Sequence, residues 1–222
     1  MRPLTLVGGG KVKKSLLQAA IVHAPRVVAA DGGAESVLRH GIMPEAVIGD
    51  FDSISRDACA AIPGERLHKV EEQDSTDFEK CLTRMEAPLI IGLGFGGGRL
   101  DHELAALHGL MRFPERRCLL VMEHDLAFLL PPVFEIAPPV GSRFSVFPLA
   151  EGAARSKGLR WALDGLALMP GRQIGTSNEV SGPVRIESDA PVLLAILPVE
   201  QFKQAVQALL AQGEAAGGWP AR

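Results

Sequence analysis

The chain has 222 residues, of which 47% are hydrophobic and 22% charged, and its formal net charge at pH 7 is −3. This composition is typical of a globular protein with a substantial core, and the slightly acidic balance argues against a nucleic-acid partner. The three cysteines, Cys59, Cys81 and Cys118, are odd in number and widely spaced, which argues against a disulfide framework or a structural zinc site.

The first half of the chain alternates short β-type runs with helical stretches. The apolar runs are LTLVGG, RVVAADGG, EAVIGD, RLHKVEE, PLIIGLG and RCLLVME. Strands that alternate with helices indicate a doubly wound sheet, and nearly continuous apolar strands indicate a parallel sheet with helices on both faces. We therefore predict an α/β domain with a mostly parallel six-stranded sheet over residues 1–128.

The pattern changes near residues 126–132. The segments RFSVFPL, GLRWAL, VRIES and VLLAILPV are short and are separated by Gly, Pro and Asn. Such spacing predicts a small antiparallel β-sandwich domain, which we assign to residues 129–200. The segment EQFKQAVQALLAQ then has a helical period, so residues 201–222 are predicted to form a C-terminal helical tail.

No segment predicts a membrane span or a secretory signal. Met1 leads directly into RPLTLVGGG, and the long apolar run APVLLAILPV is about half the length that a spanning helix requires. Together with the cysteine pattern, this predicts a cytoplasmic protein without a membrane partner.

Five aspartates follow predicted strands or begin the helices that come after them: Asp31, Asp50, Asp52, Asp77 and Asp101. Taken singly, Asp101 could be a helix N-cap, Asp31 a turn residue, and Asp77 a first-turn acid behind a Thr76–Glu79 capping box. Ligands of open parallel sheets bind outside the carboxyl ends of the strands. Together the acids therefore predict a Mg²⁺ ion held by carboxylates and substrate phosphates.

Glycines near the same strand ends favour phosphate binding. The segment GLGFGGGRLDH has Gly92, Gly94 and Gly97 in GxGxxG register, a weak dinucleotide signal but a turn suited to phosphates before a helix. The segment GGGK at residues 8–11 does not match a P-loop, because Val12 and Thr5 stand where Ser or Thr and the first glycine belong.

A predicted metal site, a glycine-rich turn suited to phosphates and acids at the strand ends together predict phosphoryl-type transfer. A DxD phosphatase fits poorly for two reasons. Its motif normally ends the leading strand and continues to Thr or Val, whereas Asp50 and Asp52 follow the third predicted strand and Ile54 occupies the Thr or Val position. A DxD metal-dependent sugar-nucleotide transferase and a non-catalytic nucleotide-sensing module remain open.

A series of motifs resembles the thiamine pyrophosphokinase family. In chain order these are ADGGAESVLRHGIMPEAVIGDFDS, EEQDSTDFEKCL, GGGRLDHELAAL, GLRWAL and GTSNEV. The resemblance implies an enzyme that transfers the pyrophosphoryl group of ATP to the hydroxyl of thiamine, giving thiamine diphosphate and AMP. It also implies an ATP- and Mg²⁺-binding α/β domain, a thiamine-binding β-sandwich, and a homodimer with its sites at the interface.

The resemblance also assigns roles to residues. The implied metal ligands are Asp50, Asp52 and Asp77, and the implied catalytic residues are Asp52, Asp77 and Asp101. The implied ATP side comprises Asp31, Gln73, Thr76, Arg99 and Asp101, and the implied thiamine side comprises Trp161, Ser177 and Asn178. Asp101 would either accept the hydroxyl proton or orient the hydroxyl, and for Asp31 the resemblance gives no specific role.

Overall fold

The computed structural model describes residues 1–215 and residue 219, and it divides into two compact units. The first unit comprises Met1–Gly109 and Leu120–Met122, and the second comprises Leu110–Leu119 and the described residues from Glu123 onward. Among the described residues, no helix combines the length and the apolar character that crossing a membrane requires.

The first part of the chain forms strands and helices in strict alternation. The strands are β1 (Leu4–Val7), β2 (Arg26–Ala30), β3 (Ala46–Gly49), β4 (Leu67–Lys69), β5 (Ile90–Leu93) and β6 (Cys118–Val121). The helices are α1 (Lys14–His23), α2 (Gly33–Arg39), α3 (Arg56–Ala61), α4 (Asp77–Arg84) and α5 (Leu100–Arg112), with a 3-10 turn at Gly64–Arg66. Helix α5 begins in the first unit, and β6 ends in it.

The strand order in this sheet is β6-β5-β1-β2-β3-β4, and the pairs β5-β1, β1-β2, β2-β3 and β3-β4 are parallel. Successive strands β1 to β4 extend the sheet in one direction, whereas β5 pairs on the other side of β1. The order therefore reverses between β1 and β5, and ligands of such sheets bind outside the carboxyl ends at this point. The loops that follow these two strands carry Gly8–Gly10 and Gly94–Gly98.

The second part of the chain is mainly antiparallel. Its strands are β7 (Asp125–Leu129), β8 (Val133–Ile136), β9 (Arg143–Pro148), β10 (Ala154–Leu159), β11 (Gly175–Ser188) and β12 (Leu193–Pro198). A 3-10 turn at Val199–Gln201 leads into α6 (Phe202–Ala215), which packs against β8. Helix α6 buries Phe202, Ala205, Val206 and Leu209, so one face of the predicted tail belongs to the core of this unit.

The long strand β11 takes part in two sheets. Its first residues pair with β9, which continues through β12 to β7, whereas its later residues pair with β8 and β10. The rings of Phe128 on β7 and Phe134 on β8 lie 4.9 Å apart and both are buried, so aromatic side chains from the two sheets meet in the core.

The predicted fold class, a mostly parallel α/β domain followed by a small β domain, is confirmed. Some details differ. Strands β7 and β8 were not predicted. The strand expected in GLRWAL covers only Gly158 and Leu159 of that segment; Gly158 has a positive φ, and the pairing with β11 shifts register between Lys157 and Leu159. The boundary at residues 128/129 remains a prediction; residue 128 lies in β7, which pairs with β12.

Helix α2 starts so close to β1 that its first residue must be glycine. A Cβ atom on Gly33 would lie 2.0 Å from the backbone oxygen of Val7. A Cβ atom on Gly64 would have no atom within 4 Å.

We therefore predict that Gly33→Ala lowers the free energy of unfolding by about 3 kcal/mol or more, because a backbone carbonyl cannot move aside as a flexible side chain can. Gly64→Ala is the matched control and should change it by less than about 0.5 kcal/mol. Urea denaturation of both variants measures the difference. Equal stability of the two variants would show that the close approach of α2 to β1 is wrong.

Candidate active site

Three carboxylates meet at the carboxyl ends of neighbouring strands. Asp31 follows β2, Asp50 follows β3, and Asp77 is the first residue of α4. One oxygen atom from each lies within 4.8 Å of the others. This spacing suits a hard divalent cation, which takes several carboxylate oxygens as ligands.

Asp31 is the most buried of the three acids. Its side chain is 2% exposed, and its backbone has φ 42°, a left-handed conformation that Asp and Asn tolerate better than most residues. Oδ2 accepts a hydrogen bond from the backbone N–H of Ser53 at 3.0 Å, whereas Oδ1 has no partner among the described residues. Burial, reinforced by the negative charge of Asp77, raises the pKa of Asp31 to about 6.

A buried lysine joins the other two acids. The Nζ atom of Lys80 lies 3.1 Å from Oδ1 of Asp77 and 3.3 Å from Oδ2 of Asp50, and the Lys80 side chain is only 2% exposed. The sequence analysis did not identify Lys80. The available signal was its position three residues after Asp77 on a helix, where the two side chains share a face.

The lysine and its partners shift one another's pKa values. Burial opposes the charged form of Lys80, but the ion pairs with Asp77 and Asp50 outweigh it and raise the pKa of Lys80. Burial likewise raises the pKa of Asp77, and Lys80 only partly offsets this effect. For Asp50 the opposing hydrogen bonds from Gln73 and Lys80 prevail over desolvation and lower its pKa.

The start of α4 holds Asp77 in place. The Thr76 hydroxyl oxygen accepts a hydrogen bond from the Glu79 backbone N–H at 3.3 Å, and a Glu79 carboxylate oxygen accepts one from the Thr76 N–H at 3.0 Å. This is the capping box that the sequence suggested, and it fixes the direction in which the first helical residue projects. Thr76 therefore serves the helix as well as lining the cavity beside the cluster.

Asp52 does not belong to the closest group of acids. Its carboxylate accepts a hydrogen bond from the Ser53 hydroxyl at 2.8 Å, and the residue is exposed. Phe51 has φ 68°, so the chain turns between Asp50 and Asp52 and the two side chains do not follow strand alternation. The structure thus brings Asp31 together with Asp50 and Asp77, and the assignment of Asp52 as a metal ligand remains a prediction.

A cavity of about 540 Å³ in the first unit contains this cluster in its wall. Glycine loops after β1 and β5 form another part, and the N–H of Gly10 donates to the carbonyl of Gly94 at 3.0 Å. A Cβ atom on Gly10 would lie 2.6 Å from that carbonyl oxygen. The segment GGGK is not a P-loop, yet it lines the cavity, a role that the sequence analysis missed.

Two further predicted ATP-side residues line the same cavity, namely Gln73 and Arg99. Gln73 donates from Nε2 to Oδ2 of Asp50 at 3.1 Å. Arg99 donates to both carboxylate oxygens of Asp101, at 3.1 and 2.5 Å, and this pairing lowers the pKa of Asp101. Both Asp101 oxygens are thus hydrogen-bonded to Arg99, and the catalytic role of Asp101 remains a prediction.

The predicted thiamine-side residues lie in the second unit and are neighbours there. The buried Asn178 amide accepts from the backbone N–H of Trp161 at 3.1 Å and donates to its carbonyl at 2.6 Å. Ser177 has φ 58°, and its N–H donates to Ser145 Oγ at 3.0 Å. The ring of Trp161 is 56% exposed and lies 4.9 Å from the guanidinium of Arg160. Asn178 thus fixes the backbone that presents an exposed aromatic ring.

The raised pKa of Asp31 predicts the pH dependence of stability without metal. The unfolded carboxyl titrates near 3.8 and the folded one near 6, so the folded state loses stability as the pH rises through this window. Asp31→Asn cannot ionise and keeps an oxygen acceptor for Ser53. It should raise the free energy of unfolding by on the order of 2 kcal/mol above pH 6, with the gain fading below pH 4.

Denaturant unfolding across this pH range, with a chelator present, measures the effect. Asp164→Asn is the matched control, because Asp164 is an exposed carboxylate that also accepts one backbone N–H, from Ser156 at 3.0 Å. A gain from Asp31→Asn that did not vary with pH would contradict the assigned burial of charge.

Comparisons with known proteins connect both units to one family. Residues 17–122 match the family model "Thiamin pyrophosphokinase, catalytic domain", and residues 135–193 match "Thiamin pyrophosphokinase, vitamin B1 binding domain". The chain is 30% identical to thiamine pyrophosphokinase 1 of Oryza sativa subsp. japonica, over 76% of this chain and 77% of that protein. It is 29% identical to thiamine pyrophosphokinase 2 of Arabidopsis thaliana, over 82% of this chain and 83% of that protein.

The fold is also similar to that of a solved structure. The thiamin pyrophosphokinase from Candida albicans superposes with a TM-score of 0.76 at 18% identity, over 88% of this chain and 90% of that one. The predicted family is therefore confirmed, and the chain belongs to the thiamine pyrophosphokinase family.

Proposed function

We propose that the chain transfers the pyrophosphoryl group of ATP to thiamine, giving thiamine diphosphate and AMP. The thiamine hydroxyl oxygen bonds to the β-phosphorus, the bond from that phosphorus to the oxygen bridging to the α-phosphorus breaks, and the hydroxyl proton leaves. The observation that carries the proposal is the carboxylate cluster of Asp31, Asp50 and Asp77 in the wall of the cavity, within a chain of this family. The comparisons lend no support to a sugar-nucleotide transferase or a nucleotide-sensing module.

The residues present fit a divalent cation. Three carboxylate oxygens lie within 4.8 Å of one another, and the buried Oδ1 of Asp31 has no hydrogen-bond partner among the described residues. We propose that Asp31, Asp50 and Asp77 hold Mg²⁺, with Asp52 close enough to contribute. The ion supplies charge neutralisation for the phosphate oxygens when it is bound.

The rest of the cavity wall suits the triphosphate of ATP. The loops at Gly8–Gly10 and Gly94–Gly98 line the cavity mainly with glycine, so backbone groups can approach a phosphate closely there. Arg99 supplies a guanidinium that Asp101 holds, and Gln73 and Thr76 supply polar groups beside the acids. Alignment of the two substrates and neutralisation of charge by these groups would supply most of the acceleration.

The second unit would bind thiamine through the neighbourhood of Trp161. Its ring is exposed and can stack on a flat cationic ligand. Ser177 and Asn178 lie beside it, with Asn178 acting through the backbone of Trp161.

We propose that the protein acts in the cytoplasm as a homodimer with its sites at the subunit interface. All three cysteines are free thiols, which is compatible with a reducing compartment. The separation of ATP-side residues in the first unit from thiamine-side residues in the second is what a two-fold shared site requires.

The products test the reaction directly. Incubation with ATP, MgCl₂ and thiamine should yield AMP and thiamine diphosphate in equal amounts, measured by ion-pair chromatography. Asp77→Asn should lower kcat/KM by about 10²-fold or more, because a ligand of the charge-neutralising site is lost. Asp57→Asn, an exposed first-turn acid on α3, is the control and should keep activity. Release of ADP instead of AMP would contradict pyrophosphoryl transfer.

The shared site predicts complementation between inactive variants. Asp77→Asn and Asn178→Ala would be unfolded together and refolded, and activity should reappear because mixed dimers contain one site with neither lesion. Separately refolded variants are the control. If mass spectrometry shows mixed dimers and activity stays absent, the sites are not shared.

A further inference from the structure

Lys80 carries a charge in a buried position, where the loss of hydration is unfavourable. Its side chain is 2% exposed and lies in α4 next to the buried residues Glu79 and Cys81. Removing an ammonium group from water costs several kcal/mol, and only a well-formed pairing with anions offsets that cost. Asp77 and Asp50 provide the pairing at 3.1 and 3.3 Å.

Lys80 donates a hydrogen bond to one oxygen of each of these two acids. Its hydrogen bonds go to Oδ1 of Asp77 and to Oδ2 of Asp50, which also receives the amide of Gln73. One oxygen of each carboxylate is therefore engaged by Nζ. Of the second oxygens, Oδ1 of Asp50 also accepts a long hydrogen bond from the backbone N–H of Asp52 at 3.4 Å, which leaves a lone pair for a cation. Asp31 contributes one carboxylate oxygen to the same cluster, and its buried Oδ1 has no hydrogen-bond partner among the described residues.

The charges in this region would not hold themselves together. Asp31, Asp50 and Asp77 repel one another at these distances, and Asp52 adds to the negative potential felt by Asp77. Lys80 supplies a positive charge from within the protein at the two acids closest to it. Within residues 1–215 and 219, no cationic side chain other than Lys80 is paired with Asp50 or Asp77, so a bound cation would have to compensate both acids if Lys80 were lost.

We propose that Lys80 is a positioning residue that keeps Asp50 and Asp77 assembled in the absence of metal, so that the divalent cation enters a preformed site. This inference rests on the metal site of the proposed function. It differs from a purely structural ion pair, because the lysine and the metal then neutralise the same two carboxylates. The metal should therefore restore part of the folding stability that is lost when Lys80 is removed.

The test compares Lys80→Met with the wild type in thermal unfolding, with chelator or with saturating MnCl₂, and without nucleotide. The variant should melt well below the wild type in chelator, and Mn²⁺ should close at least half of that gap, because the ion replaces the lost charge. Lys69→Met is the matched control: Lys69 pairs with Glu71 at 2.9 Å but is 54% exposed, and its loss should change little in either condition.

The outcomes separate the two proposals. A gap of equal size with and without Mn²⁺ would overturn the role of Lys80 while leaving the metal site intact. If Mn²⁺ does not stabilise the wild type, and electron paramagnetic resonance shows no bound Mn²⁺, the metal site is overturned and the role of Lys80 with it. If Lys80→Met folds only when Mn²⁺ is present, the proposal is supported; if neither Lys80→Met nor Lys80→Gln folds under either condition, it is overturned.

Discussion

The compensation of negative charge at one edge of the parallel sheet is the constraint on which the site depends. Three carboxylates share a volume in which their oxygens lie within 4.8 Å of one another, and Asp31 is almost completely buried. Repulsion and desolvation at such distances oppose folding unless positive charge is supplied. Lys80 supplies part of it permanently, and the proposed Mg²⁺ supplies the rest when substrate phosphates arrive. Stability and function thus oppose each other here, as they often do at sites built from like charges.

Where the strands end, glycine residues allow backbone segments to approach one another more closely than a side chain would permit. Gly33 lets α2 start against β1, and a Cβ atom on Gly49 would lie 2.7 Å from that of Asp31, so glycine at both positions allows the turn that directs Asp31 into the cluster. The strand order reverses between β1 and β5, and the glycine loops that follow these two strands contact each other and line the cavity at this point. The topology therefore creates the cavity, and the loops after β2 and β3 together with the start of α4 place the acids in its wall.

The sequence predicted those features that depend on local chemistry. Apolar runs identified the parallel strands, the Thr76–Glu79 pair identified the start of α4, and strand-end acids identified Asp50 and Asp77. It did not predict features that depend on backbone direction or on packing. Phe51 has a positive φ, so Asp50 and Asp52 do not follow strand alternation, and Asp31 joins Asp50 and Asp77 in the closest group of acids. Lys80 resembles a solvated helix residue until the burial of its face is known, and the role of Asn178 depends on a hydrogen bond to a loop 17 residues earlier.

The most direct test of the metal site is a crystal of the protein grown with Mn²⁺ and a non-hydrolysable ATP analogue, with data collected at the manganese absorption edge. We expect an anomalous peak within coordination distance of carboxylate oxygens of Asp31, Asp50 and Asp77, about 2.0 to 2.4 Å away, with analogue phosphates completing the coordination. Lys80 should remain paired to the outer oxygens of Asp50 and Asp77. A peak away from this cluster, or a phosphate group bound there by Lys80 with no metal present, would contradict the proposed metal site.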